Sequence, residues 1–149
     1  MPTAGIVDGY LTRELRRSVL RPHLSAADEL PGDDLAGAVH FAVLDPAGNV
    51  ASTCFICPEP WPRDPDRRPG WHLRQMATRA DVRGQGAGAA VLEAVVGYIA
   101  PRGGGILWCN ARESALGFYA RAGFTAEGES FRQRSIPHRR MWRWVAPAG

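Results

Sequence analysis

Apolar residues recur along the chain with two periods, and the changes between those periods divide it into elements. Leu11, Leu15, Val19 and Leu20 keep helical spacing, with Arg13, Arg16 and Arg17 among them, which predicts an amphipathic helix lying on a sheet over Leu11 to Leu24. Thr12 is placed to cap its start, and Pro22 ends it. From Ser25 to Gly37 the residues turn acidic (Asp28, Glu29, Asp33, Asp34) around Pro31-Gly32, a loop composition. Val39, Phe41 and Val43 then alternate, Asp45-Pro-Ala-Gly48 makes a turn, and Val50 to Cys57 is a second extended run, the pattern of a hairpin. Pro58 to Gly70, rich in proline and charge, is a loop bordering a substrate site and long enough to be partly mobile.

The next strand runs from Trp71 to Arg79. Trp71 and Leu73 alternate, but Met76 follows after three positions, a slip that a β-bulge near Arg74 or Gln75 reconciles. Beyond a glycine-rich loop, Val91, Leu92, Val95, Val96 and Ile99 return to helical spacing. Pro101 to Gly105 breaks that helix, and Ile106 to Cys109 suits a buried parallel strand. Ser114 to Ala122 makes a short helix with Gly123 as the residue after its end, and Phe124 to Val145 gives two extended pieces around Ser135-Ile-Pro-His138. The order implies a mixed α/β sheet with helices on both faces, and 149 residues suit one domain over residues 1–149.

Composition narrows this little. Apolar content of 45% and charged content of 22% are ordinary for a globular chain, and a net charge of +3 favours an acidic ligand without demanding nucleic acid. All 18 basic residues are arginine, which with the abundant Ala, Gly and Pro reads first as coding bias. No apolar run is long enough for a bilayer and no signal-peptide core is present, so the expected location is cytoplasmic. Cys54, Cys57 and Cys109 are too few for a disulfide framework; Cys54 and Cys57 lie in a strand-like run, and no second pair completes a zinc site, so no metal is expected.

The candidate chemistry begins at the loop Arg83-Gly84-Gln85-Gly86-Ala87-Gly88, where a strand hands over to a helix. Glycines there let backbone N–H groups point outward at the positive end of a helix dipole, a seat for phosphate. A nucleoside-triphosphate loop needs a lysine, which the chain lacks. A dinucleotide site wants an acid about 20 residues on, where the chain reads Gly103-Gly-Gly-Ile-Leu-Trp-Cys-Asn110. The third pattern, Arg83-x-x-Gly86-x-Gly88, resembles the first signature of the GNAT superfamily of N-acetyltransferases. Ala115-Leu-Gly-Phe-Tyr119-Ala-Arg-Ala-Gly123-Phe124 is similar to that family's second signature, at the right distance downstream. The likeness covers Trp71 to Val145, and Leu107-Trp-Cys-Asn-Ala-Arg112 with Pro137-His-x-x-Met141 is similar to bacterial members.

This resemblance implies a largely antiparallel mixed sheet with a central parallel strand pair. It also implies transfer of an acetyl group from acetyl-CoA to a primary amine by direct attack. The loop from Arg83 to Gly88 would hold the pyrophosphate, with Arg83 adding a charge-assisted contact. The backbone of Met76, Ala77 and Thr78 would run along the pantetheine arm and polarise the thioester carbonyl. Asn110, expected at a strand end, would bond the pantetheine; the family often has Asn two positions later, where this chain has Arg112. Tyr119 matches the tyrosine that protonates the departing thiolate.

The general base stays open between His138, His72 and relayed water, with Glu59 and Glu113 behind them. The acceptor also stays open: a small molecule, a peptide N-terminus or a lysine side chain, approached by acidic loops (Asp28, Glu29, Asp33, Asp34, Glu59, Asp64, Asp66) that suit a cation. A nucleic-acid patch of Arg132, Arg134, Arg139, Arg140 and Arg143 among Phe131, Trp142 and Trp144 is the rival reading. The sequence favours a half-buried edge strand there, and so no nucleic-acid or membrane partner. A non-catalytic acyl-CoA sensor is a further alternative, and family members are often homodimers.

Overall fold

The computed structural model describes residues 2–30 and 35–149; Pro31, Gly32, Asp33 and Asp34 of the acidic segment lie outside the described residues. Strands β1 (Ala4–Val7), β2 (Val39–Leu44), β3 (Val50–Pro58), β4 (Gly70–Thr78), β5 (Gly105–Arg112), β6 (Thr125–Gln133) and β7 (Ile136–Val145) form one sheet in the order β1-β2-β3-β4-β5-β7-β6. Helices α1 (Arg13–Leu20), α2 (Ala87–Ile99) and α3 (Leu116–Arg121) accompany them. β4 and β5 are parallel, whereas β1–β2, β2–β3, β5–β7 and β6–β7 are antiparallel, which is the mixed sheet with a central parallel pair that was expected. The Cα positions divide into two compact units, Met1–Cys57 with Arg74–Tyr98 and Pro58–Leu73 with Ile99–Gly149. Among the described residues no helix is long and apolar enough to cross a membrane.

In the first unit β3 is buried from Ala51 to Cys57, so both of its faces are covered. Phe41 meets Tyr98 of α2 with ring centroids 5.7 Å apart, while its neighbour His40 turns to the turn before α1, so close that a Cβ on Gly9 would lie 2.6 Å from His40 Nε2. Successive strand residues point to opposite faces, so α2 and the α1 segment cover the two sides of these strands. Burying side chains such as Phe41, Phe55 and Ile56 contributes about 1.5–3 kcal/mol each.

Helix α1 differs from its pattern. Leu11 sits in a 3-10 turn (Gly9–Thr12) and is 59% exposed, whereas Arg16 is 1% exposed. Thr12 makes no cap; its hydroxyl donates to the Gly9 carbonyl at 2.7 Å and accepts from Arg16 Nε at 2.9 Å. Arg16 Nη1 donates to Gln75 Oε1 at 2.9 Å, so one of the helix's arginines is a buried guanidinium. β1, four residues long with Ile6 exposed, has no alternation to betray it.

In the second unit β5 runs on to Arg112 because β7 pairs with it residue by residue from Gly105↔Val145 to Arg112↔His138. β7 also pairs β6, so Arg139, Arg140, Trp142, Arg143 and Trp144 lie on an interior strand, whereas Phe131 and Arg132 lie on β6, the last strand in the sheet order. Arg134 and Ser135, both left-handed (φ 56° and 65°), make the two-residue turn between β6 and β7. The Pro58 to Gly70 loop is anchored by Trp61, 5% exposed, against Trp108 and Trp142.

Candidate active site

The donor loop forms because β4 ends abruptly. Gln75 takes a left-handed φ of 53°, the irregularity that the Leu73 to Met76 slip required. Behind it Met76 and Thr78 are half-buried and Ala77 is buried, with Thr78 Oγ1 bonded to Ser52 Oγ at 2.8 Å. A 3-10 turn (Ala80–Val82) follows. Gly84 (φ 79°) and Gly86 (φ 86°) then reverse the chain into α2, whose first bond runs from Ala90 N to Gly86 O at 3.0 Å. A Cβ on either glycine would meet nothing within 4 Å, so glycine is required by φ and not by space.

The donors of this loop are not a continuous run. Arg83 N donates to Ala80 O at 3.4 Å and Gln85 N to Val82 O at 3.2 Å, closing tight turns. The N–H groups of Ala87, Gly88 and Ala89 precede the first helical bond, so they carry the outward dipole of α2. Ala87 and Gly88 are thus helical residues, the first two of α2. The exposed Arg83 side chain touches the Thr78 carbonyl with Nε at 3.4 Å.

Sequence reasoning missed Arg79. Its Nη1 lies 2.8 Å from Asp45 Oδ2 of the β2–β3 turn, its Nε 2.6 Å from Asp81 Oδ1, and its Nη2 3.2 Å from Asp81 Oδ2. Those bonds hold both carboxyls below the ordinary carboxylate value and raise the arginine's own pKa, with the Asp81 bond the larger cause. The Arg-x-Asp spacing at the foot of the loop was the only local signal; Asp45 is distant in sequence.

In the second unit, Tyr119 is 5% exposed near the end of α3. Its carbonyl accepts from Ala122 N and Phe124 N, and its ring meets Phe124 at 5.3 Å and Phe118 at 5.1 Å. Gly123, at φ 92°, turns the chain so that Phe124 returns onto the tyrosine, which is why Tyr and Gly-Phe occur together in the second signature. Asn110 does not end its strand: it lies two residues inside β5, opposite Arg140, whose Nε donates to Asn110 Oδ1 at 3.3 Å. The parallel ladder stops earlier, at His72↔Trp108.

The two histidines stand in different settings. His138, 7% exposed, has Nδ1 2.7 Å from the Ile136 carbonyl; a carbonyl only accepts, so Nδ1 carries the hydrogen and Nε2 is the basic nitrogen. His72, 8% exposed, has Nδ1 3.1 Å from Glu59 Oε1, and its ring stacks on Trp108 at 3.8 Å and 8°. Trp108 Nε1 donates to the Glu59 carbonyl at 3.0 Å, fixing that partner too. Glu113 faces Arg139 at 3.9 Å. Arg140 lies over Trp108 and Phe131, and Arg143 Nη1 donates to Ala122 O at 3.0 Å, so these two arginines serve the unit's own structure.

A left-handed glycine turn leads from β4 into α2, and downstream a Gly-Phe turn packs Phe124 on Tyr119, in a fold of the α/β class. Residues 36–143 match the acetyltransferase (GNAT) domain, and the chain belongs to that family. It is 32% identical over 130 residues to the uncharacterized N-acetyltransferase YitI of Bacillus subtilis (strain 168), across 87% of this chain and 84% of that protein. Its fold is similar to that of an aminoglycoside 6′-N-acetyltransferase complexed with coenzyme A, at TM-score 0.75 and 13% identity over 98% of each chain. An N-acetyltransferase crystal structure from Lactobacillus plantarum gives TM-score 0.73 and 18% identity over 96% of this chain and 99% of that one. The chain is accordingly an acetyltransferase, and the donor of its family is acetyl-CoA.

Proposed function

We propose that residues 1–149 form a single N-acetyltransferase domain that moves the acetyl group of acetyl-CoA to a primary amine by direct attack. The observation that carries this reading is the left-handed Gly84–Gly86 turn feeding α2, which aims first-turn N–H groups of Ala87, Gly88 and Ala89 outward as a diphosphate requires. Arg83 adds positive charge beside that seat. The backbone of Met76, Ala77 and Thr78 runs along the pantetheine arm and polarises the thioester carbonyl, and the Gln75 irregularity is what frees a strand backbone for that work. Asn110, held through its amide oxygen by Arg140, offers its NH₂ as a donor to pantetheine.

Tyr119 supplies the proton for the departing thiolate, as a phenol does at neutral pH. His138 accepts the proton of the amine on Nε2, the nitrogen left basic by the bond to Ile136. A second base is favoured by one observation: the Glu59 carboxylate orients His72 while Trp108 clamps its ring. Direct attack is supported by the cysteines. None of the three is in a disulfide and all three are buried; burial raises the Cys109 thiol well above its ordinary value, so Cys109 stays protonated and is a poor carrier for the acetyl group. Cysteines outside disulfides also suit a reducing cytoplasmic setting. No metal enters this scheme, and the acceptor is a small-molecule or peptide amine. Neither nucleic acid nor a membrane is a partner in this reading, and the enzyme works as a homodimer in the manner of its family.

Release of coenzyme A thiol from acetyl-CoA, followed over a panel of aminoglycosides, polyamines, amino acids and peptides, tests the reading. Amine-dependent thiol release with an acetylated product is expected. Coenzyme A binding without transfer to any amine would turn the reading into the sensor alternative, and salt-sensitive nucleic-acid binding without coenzyme A binding would replace it.

A further inference from the structure

The geometry points to Arg79 as the positioning residue that sets donor affinity, by fastening the foot of the glycine loop to the β2–β3 turn. This rests on the donor-loop reading above. Arg79 stands one residue after Thr78, with its N–H on Ala51 O at 2.8 Å, so its backbone already belongs to the strand pair. Its planar fork then joins two acids far apart in sequence. Asp81 lies in the 3-10 turn from which the loop departs, and Asp45 opens the β2–β3 turn.

Asp45 is itself fixed, because its other oxygen, Oδ1, accepts from Ala47 N at 3.0 Å and Asn49 N at 2.9 Å. Side-chain exposures of 33% for Arg79 and 17% for Asp45 make this pair less screened than a surface pair. The loop beyond it is exposed from Arg83 to Gly86, and its other bonds are local ones back to its own foot: Arg83 N to Ala80 O, Gln85 N to Val82 O, Arg83 Nε to Thr78 O and Gln85 Nε2 to Asp81 O. A seat made of backbone donors binds well only when ordered beforehand, because ordering it on binding costs affinity. The Arg79 fork supplies that order from outside the seat, touching the loop's foot and none of its outward N–H groups.

Steady-state kinetics on the full chain, with coenzyme A binding measured by calorimetry, tests the proposal. Arg79→Ala is expected to raise KM for acetyl-CoA and Kd for coenzyme A by about fivefold, as loss of a small charge network implies, with kcat at saturating donor within about twofold of wild type. Arg79→Lys keeps the charge, loses the fork, and falls between. Asp45→Asn retains the turn-capping Oδ1 and puts an NH₂ donor where Oδ2 accepted from Arg79, so it removes both the charge and the hydrogen bond and keeps the proposal testable if Arg79→Ala does not fold. Its effect on Kd is expected to disappear in the Arg79→Ala background. Unchanged Kd in both single variants, or a fall in kcat with KM untouched, would overturn the proposal. A wild-type chain that does not bind coenzyme A at all would instead remove the donor-loop reading on which it stands.

Discussion

The proposed donor loop and the proposed acid–base groups are built on opposite principles. From Gln75 to Ala89 the working parts are backbone: a left-handed residue, two glycines at positive φ and the first turn of a helix. In the second unit they are side chains brought together by strand register and stacking, such as Glu59, His72 and Trp108, spread over fifty positions. Backbone devices depend on residue types at short fixed spacings, so they leave a local trace. Side-chain devices depend on which strands pair, and leave almost none.

The largest expected effects break the side-chain half of this contrast. Tyr119→Phe keeps the ring that packs on Phe118 and Phe124 and removes only the hydroxyl, so it is expected to lower kcat by about a hundredfold while leaving coenzyme A binding unchanged. Unchanged turnover would take Tyr119 out of the proton path. The same assay sorts the bases: His138→Gln is expected to cost a comparable factor in kcat, and His72→Gln a smaller one. If the order reverses, the Glu59–His72 pair is the base and His138 serves the β6–β7 turn.

A middle-sized effect sharpens the backbone half. Gly86→Ala meets no atom, so its whole cost is a left-handed residue with a Cβ, about 1–2 kcal/mol. If the seat pays that cost only when it is ordered around the diphosphate, coenzyme A affinity falls by about tenfold and Tm moves little. A lower Tm with unchanged affinity would mean that these glycines merely turn the chain.

Where the sequence was legible follows the same division. The hairpin at Asp45, the irregularity before Met76, the glycine turn and the Tyr119 to Phe124 turn could all be read because each is encoded within about ten residues. Asn110 was misplaced because the length of β5 is set by β7, which pairs with it to Arg112. Arg16 is one of three arginines in an amphipathic helix, yet its partners Thr12 and Gln75 draw it inside, and Gln75 is 59 residues away. Trp61 was hidden in a loop whose length suggested partial mobility, although its indole is buried against Trp108 and Trp142. Arg79 shows the limit of the contrast, a side-chain device inside the backbone half, and only its Asp81 partner was near enough to notice.

The smallest expected effect tests that exception through pH. The Arg79 bonds hold Asp45 and Asp81 below the ordinary carboxylate value of 3.8. A carboxyl whose pKa is lower folded than unfolded stabilises the fold above its unfolded value, and that contribution is lost as pH falls through the folded one. The Tm difference between wild type and Arg79→Ala is therefore at full size near neutrality, begins to close below pH 3.8, and vanishes once both acids are protonated in the folded chain. The Glu14–Arg17 pair of α1 titrates in the same acid range, since its bond also lowers the Glu14 pKa, but it is present in both proteins and cancels from the difference. Thermal melts of the two proteins from pH 7 to pH 2 measure the gap directly. A gap that stays constant across that range would mean that Arg79 acts by its packing, and the charge link from the β2–β3 turn to the donor loop would fall.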